Sequence, residues 1–122
     1  MTTLTTRRAD DDVLIVSFQD VRIIDESRIQ ILGQELLNLL NNAANNRIVL
    51  NFQNVSFMSS AMIGKLIQFG KKCDNSNVSL RLCSINENVE EVFTLMNLGK
   101  VFGIDKNEEK SIKKLTKKGL FG

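Results

Sequence analysis

In this chain of 122 residues, the groups best placed for chemistry are two adjacent hydroxyls, Ser59 and Ser60, within Phe57-Met58-Ser59-Ser60-Ala61-Met62-Ile63-Gly64. A serine becomes a nucleophile when a base takes its proton. The sequence has no histidine, which excludes Ser–His–Asp and Cys–His systems, a histidine zinc site and a phosphohistidine relay. No G-x-S-x-G elbow surrounds the pair. Two uses remain. Either hydroxyl could accept a hydrogen bond from a free N–H at a helix start and so cap the helix. The same position suits an anion, because unpaired N–H groups and the positive end of the helix dipole face it. A phosphoserine there would add about −1.5 to −2 of charge. The residues alone leave both uses open, and both can hold. Cys73 and Cys83 belong to no CxxC pair and read as small buried apolar groups. Lys65, Lys71 and Lys72 read as solvated charges on the helix that follows the serines.

The elements that must position the serines can be read outward from them. Ile48, Val49, Leu50 and Phe52 form a buried strand, and Gln53, Asn54 and Ser56 break it. Phe57 and Met58 return the chain to the interior. Met62, Ile63, Leu66, Ile67 and Phe69 then recur at helical spacing, which predicts a helix over about 60–73. Upstream, residues 3–8 suggest an edge strand, Ala9 to Asp12 an acidic turn, and Val13 to Phe18 a central strand that is apolar on both faces. A connector over 19–24 leads to a helix over 27–43, capped by Asp25 or Ser27, with Ile29, Leu32, Leu36, Leu39 and Ala43 on one face. Asn41, Asn42, Asn45 and Asn46 stop it.

Downstream, residues 78–83 alternate as a strand nearer the sheet edge. A third helix carries Val89, Val92, Phe93 and Met96 and stops at Gly99. Val101, Phe102 and Ile104 make a short extended return, and an exposed helix over 108–117 turns Ile112 and Leu115 inward. The expected core is Ile15, Leu32, Leu36, Leu50, Phe52, Leu66 and Leu80.

Strands alternating with helices imply an α/β fold, a mixed four- to five-stranded sheet with helices packed on it. The length allows one domain across 1–122, with a core over 3–105 and a basic helix and tail over 106–122. That last segment holds six Lys against two Glu, a net +4, so the total of +2 leaves −2 for the rest. With no aromatic interleaving, it reads as a solvated helix face rather than a nucleic-acid or membrane contact. Apolar content of 43% and charged content of 25% are ordinary for a soluble protein, and there is no long apolar stretch or secretory leader. A receiver domain would need an acidic pair after its first strand and an Asp ending its third. Here Asp10 to Asp12 precede the apolar strand and the third strand offers Asn51.

The run from Val49 to Leu66 resembles the core motif of STAS domains, especially the bacterial anti-sigma factor antagonists. In that family a strand is followed by a segment similar to FMDSSGLG or FISSAGL. Ile24-Asp25 before the long helix, and Asn88 to Ile104 with Leu95, Leu98 and Val101-Phe102, extend the likeness over most of residues 3–105. The resemblance implies a small STAS-like domain that binds a protein partner, with no catalysis and no cofactor of its own. It makes Ser60 the phosphorylation site. It places the contact at Asp25, Phe57, Met58, Ser59, Ser60, Ala61 and Met62. Unphosphorylated, such a protein holds an anti-sigma factor that is also a serine kinase, and so frees the sigma factor. The kinase supplies ATP and Mg²⁺, and a metal-dependent serine phosphatase resets the switch. The implied setting is cytoplasmic, with no nucleic acid and no membrane insertion, as a monomer or weak dimer. Two positions depart from the pattern: Ser59 stands for the usual Asp, and Met62 for a Gly, which would crowd the loop–helix corner. A second reading within the fold is a scaffold or regulatory subunit of a transport or stress-signalling complex, with Ser60 serving only as a helix cap.

Overall fold

A computed structural model describes residues 4–116. The end of the expected basic tail, 117–122, and residue 3 of the expected first strand lie outside that range. The chain runs β1 (Leu4–Ala9), β2 (Val13–Phe18), β3 (Arg22–Ile23), α1 (Glu26–Leu39), β4 (Arg47–Asn51), β5 (Phe57–Met58), α2 (Ser60–Asn75), β6 (Ser79–Cys83), α3 (Glu87–Leu95), β7 (Gly103–Asp105) and α4 (Glu108–Thr116). Five strands form a mixed sheet in the order β1-β2-β4-β6-β7. β1 is antiparallel to β2, and the remaining neighbours are parallel. β2 is flanked on both sides, as its two apolar faces require, and β6 lies one strand from the edge.

Side chains alternate across this sheet, and each set meets a different cover. Leu14, Val16, Ile48, Leu50 and Leu82 face Ile29, Leu32 and Leu36 of α1 and Met62, Ile63, Leu66 and Phe69 of α2 in the main core. Val13, Ile15, Val49 and Cys83 point to the opposite face, where Ile112 and Leu115 of α4 cover them. The last helix therefore closes the second face rather than lying exposed. Its attachment is also polar. Asp105, whose side chain is 2% exposed, receives Arg81 Nε at 2.6 Å and Lys114 Nζ at 3.3 Å. The buried Ser111 hydroxyl donates to the same carboxylate at 2.6 Å. Burial alone would raise the Asp105 pKa. The hydrogen bonds from Arg81 and Ser111, the Arg81 charge and Lys114 outweigh burial and hold it below the ordinary carboxylate value. At the other end of the helix, Glu108 pairs with Arg7 and accepts from Asn51.

Three expectations are corrected. α1 stops at Leu39, not 43, and Ala43 is exposed. The asparagines bring this about through local bonds: Asn45 Nδ2 donates to the Leu39 carbonyl at 2.8 Å, and Asn42 Oδ1 accepts from the Ala44 N–H at 3.0 Å. α3 is ended by Asn97, in the left-handed region at φ 60°, and Gly99 has no positive φ. Asparagine tolerates that conformation, so glycine is not needed there. Leu80 is only partly buried. It packs against the main core and also lines an open cleft of about 560 Å³ with Gly70 of α2, Ser79, Phe102 and Leu115. The other six expected core residues are buried.

Candidate functional site

The segment carrying the serines is built from β4 onward. Asn51 is buried at the end of β4, and its Oδ1 accepts from the Gln53 N–H at 2.8 Å, turning the chain out of the sheet. The Val55 N–H returns to the Phe52 carbonyl at 2.9 Å, and the Ser56 N–H donates to the Val21 carbonyl at 2.8 Å. The chain then pairs with the connector before α1. β3 and β5 make a two-stranded parallel sheet in the register Arg22↔Phe57 and Ile23↔Met58. The Ser59 N–H donates to the Ile23 carbonyl at 3.0 Å and extends that pairing to the edge of α2. Each of these short strands leads into a helix, so α1 and α2 start from neighbouring positions. No local periodicity marks this small sheet, whose strands have two residues each. Its one signal is the group of three β-branched residues, Val21, Ile23 and Ile24, inside the connector.

Asp25 is the cap of α1. Its Oδ2 accepts from the Arg28 N–H at 3.1 Å and from the Ser27 hydroxyl at 2.6 Å. The Ser27 hydrogen bond, followed by the Arg28 backbone bond, lowers the Asp25 pKa and favours an exposed carboxylate. Ser59 is the cap of α2, its Oγ accepting from the Met62 N–H at 3.4 Å. Ser60 is the first residue of the helix. It is exposed, and its hydroxyl has no hydrogen bond among the described residues. The capping role that the sequence left open between the two serines thus belongs to Ser59, and the reading of Ser60 as a cap does not hold.

The other expected contact residues divide by burial. Asp25, Phe57 and Ala61 are exposed beside Ser60, and Ser59 is half-buried. Met58 and Met62 are 2% and 0% exposed. Both point into the core, which removes their side chains from an exposed contact. Alternation in β5 sends Met58 inward and Phe57 outward. Met62 packs below the corner instead of crowding its outer surface. The surface gains three residues that the sequence reading did not include. Val21 and Ile24 are 58% and 50% exposed, and the Arg22 guanidinium carbon lies 5.3 Å from the centre of the Phe57 ring. An apolar rim with an arginine stacked on an aromatic ring has the composition of a protein contact.

Neither cysteine takes part. Burial pushes the Cys73 thiol up to about 12 and the Cys83 thiol up to about 11. Among the described residues, no group of three or more His, Cys, Asp or Glu is placed to hold a metal ion, and no helix is long and apolar enough to cross a membrane.

The family model described as the STAS domain matches residues 6–111. The chain belongs to the STAS-domain family. Solved structures place this STAS domain among similar folds. A serine-to-glutamate variant of RsbS from Moorella thermoacetica superposes with a TM-score of 0.80 at 17% identity, over 97% of this chain and 98% of that one. A Thermotoga maritima protein provisionally named an anti-sigma factor antagonist gives 0.79 at 22%, over 91% and 92%. The phosphorylated form of the Bacillus cell fate determinant SpoIIAA gives 0.68 at 15%, over 92% and 98%. At these identities the likeness is one of fold.

Proposed function

We propose that this STAS domain is an anti-sigma factor antagonist, a binding module that holds an anti-sigma factor with serine-kinase activity until Ser60 is phosphorylated. The observation that carries the reading is the division of labour between the serines. Ser59 caps α2, so the exposed Ser60 hydroxyl is free to receive a phosphoryl group without loss of the cap. The names of similar folds support the same reading, since one is called an antagonist and another was solved phosphorylated.

The proposed contact is formed by Val21, Arg22, Ile24, Asp25, Phe57, Ser60 and Ala61, with Ser59 at its margin and Met58 and Met62 supporting it from below. Catalysis belongs to the partner, which supplies ATP and Mg²⁺, and a serine phosphatase resets the switch in the cytoplasm. A phosphate on Ser60 brings about −1.5 to −2 of charge into an apolar contact. Burying that charge without a cation from the partner costs several kcal/mol, and each 1.4 kcal/mol is about tenfold in affinity.

The test is phosphopeptide mapping of the protein from its own cell, together with binding titrations against a candidate ATP-dependent kinase. Phosphate should map to Ser60, Ser60→Ala should bind and not release, and Ser60→Asp should bind much more weakly with an unchanged fold. Tight binding by Ser60→Asp, or phosphate mapped outside 56–60, sinks the switch. Co-purification with transporter subunits instead of a kinase would support the scaffold reading.

A further inference from the structure

Of the six arginines in the sequence, five donate to an oxygen. Arg7 meets Glu108, Arg8 meets Asn45 and the Asp12 carbonyl, Arg28 meets Asp20, Arg47 meets the Asp11 carbonyl, and Arg81 meets Asp105. Arg22 has no oxygen partner among the described residues. It is exposed, and its guanidinium lies over the Phe57 ring. An exposed cation–π contact is weaker than a charge-assisted bond to a phosphate, and a guanidinium is well shaped to take two phosphate oxygens.

Its position matters as much as its lack of a partner. Arg22 stands opposite Phe57 in the β3–β5 register, and Ser60 follows three residues later. Three residues of extended strand advance about 10 Å and the neighbouring strand lies about 5 Å to the side, so the two backbone positions are about 11 Å apart, a gap that a long arginine side chain and a phosphoserine can close together. The acids that begin α1, Asp25 and Glu26, would repel a phosphate there. Lys65, beyond the first turn of α2, lays its stem against Gly33 of α1. Arg22 is the cation that the small sheet itself supplies.

We propose that Arg22 is the internal phosphate-binding residue of the modified state. When Ser60 carries a phosphate, the guanidinium exchanges the Phe57 ring for the phosphate oxygens. Modification then does more than add bulk: it uncovers the ring and neutralises the cation that the unmodified surface offers to a partner. The inference rests on Ser60 being the phosphate acceptor.

The experiment places phosphoserine at position 60 by genetic encoding and follows the phosphate by ³¹P NMR across pH. Parent, Arg22→Gln, Arg22→Lys and Phe57→Leu proteins are compared. The second phosphate ionisation should lie about 0.5–1 unit lower in the parent than in Arg22→Gln, a smaller shift than a buried pair gives because the site is exposed. Arg22→Lys should restore part of the shift. Phe57→Leu, which removes the ring and keeps the cation, should retain it. Coincident titrations of parent and Arg22→Gln overturn the proposal, as does an equal rise in Arg22→Gln and Phe57→Leu. Because the phosphoserine is encoded, failure of the clamp is read here. Failure of the Ser60 assignment is read in the peptide map of the protein from its own cell.

Discussion

Replacing each serine of the pair by alanine separates fold from switch. In Ser59→Ala the α2 cap is lost. Cap removal costs about 0.5–2 kcal/mol, and a bond of 3.4 Å from the Met62 N–H lies at the long end of hydrogen-bond geometry, so about 0.5–1 kcal/mol is expected. In Ser60→Ala no hydrogen bond is lost, and alanine is the better helix former by up to about 0.5 kcal/mol. The two variants should therefore differ by about 1 kcal/mol in opposite directions around the parent. For a domain of this length that is on the order of 3–6 °C in melting temperature. An encoded phosphoserine at position 60, at the positive end of the α2 dipole, should be neutral or stabilise by about 0.3–1 kcal/mol. Thermal melts and urea titrations of the four proteins, read by circular dichroism, measure all of this without any partner. If Ser60→Ala melts as low as Ser59→Ala, the capping register is wrong and Ser60 is not free for modification. If the phosphoserine protein unfolds, the switch acts on the fold and not on a contact.

Other outcomes follow from packing and charge. Leu36→Ala or Leu50→Ala should cost about 2–5 kcal/mol in urea titrations. Leu80→Ala, at a partly buried position, should cost less, and equal losses would refute its partial burial. Asp105→Asn leaves Arg81 and Lys114 facing a neutral group and should cost about 1.5–3 kcal/mol. Because the folded pKa of Asp105 is depressed, its stabilisation is complete above the unfolded carboxyl value. It is lost as pH falls below about 4 and through the folded pKa. Over that window Asp105→Asn should lose stability less steeply than the parent, and parallel acid limbs would refute the account. Cys73 and Cys83, with thiols raised to about 12 and about 11, should react with a thiol reagent at pH 8 only after unfolding. Rapid labelling in native buffer would contradict their burial.

The order of strands and helices was legible in the sequence because each long element carries its own period. Leu32 and Leu36 recur at helical spacing, and Val13 to Phe18 form an apolar run bounded by polar turns. Short elements lack that repetition. β3 and β5 have two residues each, and they are strands because they pair with each other across some 35 positions of chain, which no local pattern records. The role of α4 was obscured for a different reason. Its buried face includes Ser111, a polar residue whose hydroxyl donates to Asp105 from the preceding strand, so counting apolar residues misses it. The serine junction was visible as a helix start. Which serine caps and which is exposed follows from the bond to the Met62 N–H, and adjacent identical residues cannot reveal that. The same applies to Arg22, which reads as an ordinary surface charge until the register places it over Phe57.

Asn51 bonds in two directions at once. Its carbonyl oxygen holds the Gln53 amide in the loop that leads to the serines, and its amide nitrogen holds Glu108 at the start of the last helix. Glu108 in turn holds Arg7 on the outermost strand. The loop and the far face of the sheet are thus tethered through one side chain. If the last helix detaches, Asn51 loses an anchor and the Gln53 amide its fixed acceptor. The hydrogen-exchange rate of that single amide is then a clock for the attachment of a helix on the opposite side of the molecule, with no label on the helix itself.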